Sequence, residues 1–168
     1  YDMNPLTVTW RPNMFTDVGR RNFESLCDVG GIDNLLFSPN GALHRSLTRL
    51  AFQNLCHPFQ PFIHGQKVIG PKIADKFDIP LVIYGENQAE YGNRITDNNS
   101  FLMTNNFFTA EDSKSLFFGG CSLSDILKET NFKYKDFSAY TPLSSSEVTK
   151  KNIKMLYLGY FEKWDPQN

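Results

Sequence analysis

Residues 81–93, "LVIYGENQAEYGN", begin as an unbroken apolar run and end in a cluster of glycine, carboxylate and carboxamide. An apolar run without polar alternation, entered through Pro80, reads as a strand covered on both faces, the kind that parallel sheets contain. Such a strand opens directly onto Gly85, Glu86, Asn87, Glu90 and Asn93. In open α/β sheets ligands sit outside the carboxyl ends of the strands, so the same stretch that argues for a parallel sheet also marks a candidate site.

Reading outward gives an alternating pattern. Pro5 to Trp10, "PLTVTW", is a short β-rich run. Thr16 or Asp17 then caps a helix with Val18, Phe23, Leu26, Cys27 and Val29 at helical spacing, ended by Gly30 and Gly31. "NLLF", residues 34–37, is a second apolar run expected to be covered on both faces, and Asn40 in "SPNG" caps a helix that carries Leu43, Leu47, Leu50, Ala51 and Leu55. Pro58 and Pro61 break that helix and start another near Phe62, with Ile63, Ile69, Ile73, Ala74 and Phe77 on one side. "IPLVIYG" follows. Residues from about Gln88 to Gly120 read as loop, and their Phe-Phe pairs are expected to fold back over the core or a ligand, because exposed pairs would make apolar patches. "SLSD" is a capping-box pattern opening a helix from Leu123 to about Thr130, "SSSEVTKKN" gives another turn or two, and "IKMLYLGYF", residues 153–161, reads as a last strand.

Strands alternating with helices argue for an α/β fold with a mainly parallel sheet in a single domain. The residues after each strand become the ones to inspect: Thr9, Trp10 and Arg11; Ser38 and Asn40; Gly85, Glu86 and Asn87; Glu162, Lys163, Trp164 and Asp165. Gly85 also reads as an ordinary strand-end turn. Gln60, His64, Gln66 and Lys67 lie on the third helix, where His64 alone fits a polar face and Gln60, Gln66 and Lys67 together would face the crevice. Arg45 and Arg49, at (i, i+4), form either a solvated face or a clamp for phosphate or carboxylate. His44 and His57 have no sequence neighbour that would make them triad members or ligands.

Composition removes several classes. Seventeen basic residues against eighteen acidic ones leave a net charge of −1, which gives no electrostatic footprint for nucleic acid or an anionic membrane. Cys27, Cys56 and Cys121 are odd in number and lack C-x-x-C or His spacing, so they read as reduced structural thiols rather than a metal site. No apolar run reaches the ~20 residues needed to span a bilayer, and no export signal is apparent, so the expected compartment is the cytoplasm. No G-x-S-x-G, Walker, H-E-x-x-H or G-x-G-x-x-G motif is present.

The strings "LTVTW", "VGRRNF", "DNLLFSPNG", "LTRLAF", "HPFQPFIHGQK", "YGENQAEYGN" and "YLGYFEKWDPQ", in this order and over nearly the whole chain, resemble the N-acetyl-sugar amidotransferases of lipopolysaccharide, O-antigen and nonulosonic (sialic-acid-like) sugar biosynthesis. That family is a branch of the PP-loop ATP pyrophosphatases, with the adenine nucleotide alpha hydrolase-like three-layer fold. The resemblance implies ATP-dependent conversion of a sugar's N-acetyl group to an acetamidino group through an adenylated intermediate, with Mg²⁺ and with ammonia from a separate glutaminase. It implies nucleotide contacts at Thr9, Trp10, Gly85, Glu86 and Asn87, and sugar or phosphate contacts at Arg49, Gln60, His64, Gln66, Lys67 and Glu90. Glu86 and Lys67 are the catalytic candidates.

The family's phosphate loop, S-G-G-x-D-S, and the cysteine-containing segment before it do not occur here. The resemblance therefore implies an internal fragment whose first, central strand is missing, inactive alone and binding ATP weakly. Unpaired sheet edges are then expected to drive self-association. Two other readings keep less of the resemblance: a PP-loop enzyme acting on a tRNA base, disfavoured by the neutral charge and the lack of paired cysteines, and a non-catalytic nucleotide-binding module.

Overall fold

The computed structural model describes residues 4–85, 100–105, 108–112 and 116–162. They fall into two compact units whose chain segments interleave: residues up to Ile69 with those from 116 to 140, and residues from Gly70 with those from Thr141 onward.

In the first unit, β1 (Leu6–Trp10) and β2 (Asp33–Phe37) form a parallel pair with Leu6 opposite Asp33 and Trp10 opposite Phe37. The crossover is α1 (Asp17–Gly30), capped by the Thr16 hydroxyl, which accepts from Gly19 N, and closed by Gly31 in the left-handed region. Side chains alternate across the pair. Trp10 and Phe37 share the core face, their rings 5.1 Å apart. On the opposite face Asn34 Nδ2 donates to both Thr7 Oγ1 (2.8 Å) and Thr9 Oγ1 (2.9 Å), a polar rung that fixes the register.

Helix α2 (Gly41–Leu55) starts at Asn40, whose side chain accepts from Ala42 N and Leu43 N, and buries Leu43, His44, Leu47 and Ala51. Helix α3 (Gln60–Lys76) follows. A hairpin of β4 (Phe117–Phe118) and β5 (Cys121–Ser122) then docks on α2 through its two-residue turn, Gly119–Gly120, both at positive φ. Asn54 Nδ2 donates to Gly119 O and Gly119 N–H to Gln60 Oε1. Of the capping box predicted at "SLSD", the N-cap half is present at the start of α4 (Leu123–Glu129): the Ser122 hydroxyl accepts from Asp125 N–H, and the Asp125 carboxylate accepts from that hydroxyl rather than from the Ser122 backbone. A 3₁₀ segment, Tyr134–Tyr140, closes the unit, with Phe118, Phe137 and Tyr140 fully buried.

In the second unit, β3 (Leu81–Tyr84) pairs in parallel with β6 (Lys154–Tyr157). Between them in sequence, α5 (Ser145–Lys150) has a full capping box, Ser144 with Glu147. The core joins Ala74 of α3 with Met103, Phe108, Val148, Ile153, Met155 and Tyr157, and Val82 and Tyr84 pack against it. Phe108 and Phe118, one from each Phe-Phe pair, bear out the expectation that the loop-like middle of the chain folds over the core, whereas Phe117 is exposed.

Several expectations are corrected. Among the described residues the strands form three separate two-stranded sheets rather than one, so the structure is mixed α/β with small parallel pairs. "NLLF" and "LVIY" are covered on one face only, leaving Leu36, Leu81 and Ile83 exposed, because each pair carries a core on a single side. α1 buries no residue, and Val18, Leu26 and Val29 are exposed, as are Leu55 and Phe77. The last strand stops at Tyr157, where its partner β3 ends; Leu158–Tyr160 turn into a 3₁₀ helix. Part of the region read as loop is the β4–β5 hairpin.

Two glycines are required by their surroundings. A Cβ on Gly119 would stand 2.6 Å from Ala51 N, at φ +59, and one on Gly65 would stand 2.5 Å from the buried Trp10 ring. Gly119→Ala should cost about 3 kcal/mol, combining left-handed strain with overpacking against backbone. Gly65→Ala should cost about 1–2 kcal/mol, because helix propensity offsets part of the clash. Gly85→Ala, where no described atom lies within 4 Å, should stay within about 0.5 kcal/mol. Urea midpoints at unchanged m-value check all three.

Candidate functional site

The strand ends marked by the sequence lie in different units, that of β1 in the first and that of β3 in the second. At the carboxyl end of β1, Arg11 N–H donates to Phe37 O at 2.8 Å. In a parallel ladder this sets the parity: Thr7, Thr9 and Arg11 turn their backbone toward β2, and Leu6, Val8 and Trp10 turn theirs away. Trp10 therefore keeps its main-chain N–H and C=O out of the ladder, although its ring is only 4% exposed. Thr9, by contrast, is committed to β2 through its backbone and to Asn34 through its hydroxyl. Arg11 is exposed, as are Ser38 and Asn40 beyond β2.

Beneath this strand end lies an aromatic and imidazole cluster. His44 Nδ1 and the Tyr140 hydroxyl are hydrogen-bonded at 2.6 Å, and His64 Nε2–H donates to the Tyr140 carbonyl at 2.8 Å. The Tyr140 ring lies nearly parallel to both imidazoles, at centroid distances of 6.2 Å from His44 and 6.5 Å from His64. Trp10 meets it edge-on at 5.4 Å. Burial pushes the His44 imidazole below its ordinary pKa. The same desolvation lowers His64, opposed by its bond to the Tyr140 carbonyl and reinforced by the nearby Lys67 charge. Burial raises the Tyr140 phenol. An imidazole–phenol pair has acid–base capacity, but His44 is 6% and Tyr140 0% exposed, so no substrate proton reaches it. The cluster is structural. His44 Nε2 and Trp10 Nε1 are buried without a hydrogen-bond partner among the described residues, which costs about 1–3 kcal/mol each.

The other nominated residues are placed as follows. Gln60 accepts from the hairpin turn, Gln66 and Lys67 are half-buried on α3, and Arg49 is exposed on α2. Arg45, also exposed on α2, has its guanidinium 3.5 Å from where a Gly41 Cβ would stand. Gly85 ends β3 exposed, with a backbone conformation that does not demand glycine. Glu86, Asn87 and Glu90, and likewise Asn93, Lys163, Trp164 and Asp165, lie outside the described residues. So Thr9, Trp10, Arg49, Gln60, His64, Gln66 and Lys67 belong to the first unit and Gly85 to the second.

Sequence reasoning missed Tyr140, which organises both histidines. It is 76 residues from His64 and 96 from His44, and no local pattern announces it. An open depression of about 240 Å³ floored by Met103, Val148 and Met155 lies at the amino end of β6, opposite the end where ligands of parallel sheets bind. Among the described residues no group of three or more His, Cys, Asp or Glu is arranged to hold a metal ion, and Cys27, Cys56 and Cys121 are free thiols. No described helix is long and apolar enough to cross a membrane. No protein-family model matches the chain, and no curated protein matches it.

The cluster gives stability a pH dependence. Both imidazoles have folded pKa values below the unfolded one, so the unfolded chain takes up protons first as pH falls. Their contribution is complete above about pH 6.5 and is lost below it, toward the lowered folded values. Urea midpoints should fall between pH 7.5 and 5.5, and His44→Gln should flatten that slope even though it destabilises the neutral protein.

Proposed function

We propose that this chain is part of an ATP-dependent amidotransferase that converts a sugar N-acetyl group to an acetamidino group, in the biosynthesis of lipopolysaccharide or nonulosonic acids. The observation that carries the reading is the state of two strand ends. Trp10 keeps its main-chain N–H and C=O clear of the β1–β2 ladder, and Gly85 ends β3 with no described atom within 4 Å of a would-be Cβ. Both positions fall in strings that carry the resemblance, and both suit backbone contacts to a nucleotide. The parallel pairing of β1 with β2 and β3 with β6 also agrees with an α/β nucleotide-binding frame.

An amide carbonyl is a weak electrophile with a poor leaving group. Attack of the amide oxygen on the α-phosphorus expels pyrophosphate and leaves an O-adenylated imidate. Ammonia then adds to that carbon, AMP departs with the former amide oxygen, and the amidine remains. The ammonia would come from a glutaminase partner. In the complete enzyme the phosphates would rest on an S-G-G-x-D-S loop outside this chain, Glu86 and Glu90 would hold the Mg²⁺ that supplies charge neutralisation for pyrophosphate, and Lys67, Gln66 and Arg49 would contact sugar or phosphate. Here Gln60 and His64 already serve the hairpin and Tyr140, so their contribution would be positional.

The test is an assay of the complete enzyme with ATP, Mg²⁺, ammonium and an N-acetylated amino-sugar nucleotide. AMP and pyrophosphate should appear together with a product in which the acetamido oxygen is replaced by NH. Lys67→Ala should lower kcat/KM by roughly 10²-fold, as for loss of one preorganised charge contact. Unchanged kinetics would remove Lys67 from the site, and absence of AMP with every acetamido sugar would overturn the reading.

A further inference from the structure

The free edge of β3 is unusual in its chemistry. Lys154 N–H donates to Pro80 O at 2.8 Å, which fixes the parity of the β3–β6 ladder. Val82 and Tyr84 turn their backbone toward β6 and their side chains toward the core, and Leu81 and Ile83 do neither. β6 has its other edge covered, since Met103 N–H donates to Met155 O and Tyr157 N–H to Phe101 O. Among the described residues of the second unit, no strand other than β6 pairs with β3. Its two outward residues are apolar and open, with Leu81 46% and Ile83 55% exposed.

Native sheets blunt such edges with charge, proline or a bulge. β3, Leu81–Tyr84, has no charged residue. Pro80 offers no protection either, because its backbone is turned to β6. The edge is also self-complementary: in an antiparallel pairing centred on Val82, Leu81 of each strand lies opposite Ile83 of the other. Both are outward, hydrogen-bonding positions, so the pair exchanges backbone bonds at both ends with apolar side chains matched. A net charge of −1 puts little repulsion between copies.

We propose that the β3 edge is an interface between two copies of this chain, pairing antiparallel about Val82 across a twofold axis and joining two parallel pairs into one sheet. The interface uses only residues of the second unit, and it stands independently of the amidotransferase reading.

The experiment is amide hydrogen exchange on the wild-type chain from micromolar to near-millimolar concentration, alongside sedimentation velocity. In the proposed dimer the Leu81 and Ile83 amides exchange about tenfold or more slowly at high concentration, while Val82 and Tyr84, already bonded to β6, change little. Ile83→Lys should sediment as a monomer where the wild type is dimeric, and Phe117→Lys, at an exposed site in the first unit, should leave the dimer intact. A monodisperse wild-type monomer, or concentration-independent exchange at Leu81 and Ile83, would overturn the proposal. So would a dimer that survives Ile83→Lys, which would place the interface elsewhere.

Discussion

Everything in this chain depends on how two parallel ladders are sealed at their carboxyl ends. Parallel strands cannot be closed by a tight turn, so each pair must be brought together by long crossovers and held by what packs on its face. In both units the last pair of the ladder is aromatic on the core side. Trp10 stands beside Phe37 at 5.1 Å, and Tyr84 beside Tyr157 at 6.1 Å. These pairs shut the core directly under the strand ends. Among the described residues, the groups left open at these ends are the Trp10 backbone and Gly85.

The seal under β1 extends into α3. Gly65 is where the helix backbone touches the Trp10 ring, and one residue earlier His64 reaches the Tyr140 carbonyl. Tyr140 in turn engages His44 of α2, so one phenol ties two helices to the strand end. Two ring nitrogens buried without partners among the described residues offset part of this gain. The arrangement holds because Phe118, Phe137 and Tyr140 exclude water completely, contributing about 1.5–3 kcal/mol each through burial.

What could be read from sequence was local. Asn40 and Ser122 each cap the helix assigned to them, as does Thr16 of the Thr16–Asp17 alternative, since a cap is decided by a side chain two or three residues from its donor. The strand cores at residues 6–10, 34–37 and 81–84 were legible from β-branched and apolar runs. The partition into separate pairs was not, because apolar continuity signals burial on both faces without saying what supplies the second cover. Leu81, Ile83 and Leu36 show the result. The hairpin at residues 117–122 hid in a Gly-Gly dipeptide flanked by only two strand residues a side, too short for a period to register. Gly65 looked like part of a polar motif, "HGQK", but its neighbour is a ring fifty-five positions away in sequence. Of the candidate site, strand-end placement of Trp10 and Gly85 was legible; the structural duties of Gln60 and His64 were not, because both partners are distant in the chain.

The two proposals meet at one edge. Leu81, Ile83 and Gly85 share a parity, so the backbone that would approach a nucleotide at Gly85 continues the line offered to a second strand. In a pairing centred on Val82, the residue opposite Gly85 is Ile79 of the second copy. Ile79 keeps its side chain on its own core and its N–H on Ala74 O, so it would bring main chain opposite Gly85, into the line a ligand's approach would use. Strand addition and nucleotide approach therefore compete, and an enzyme using Gly85 would need the neighbouring edge filled by a strand that stops short of it. Self-pairing at β3 would then belong to this chain when that edge is free, and the competition follows from parity alone, whichever strand arrives first.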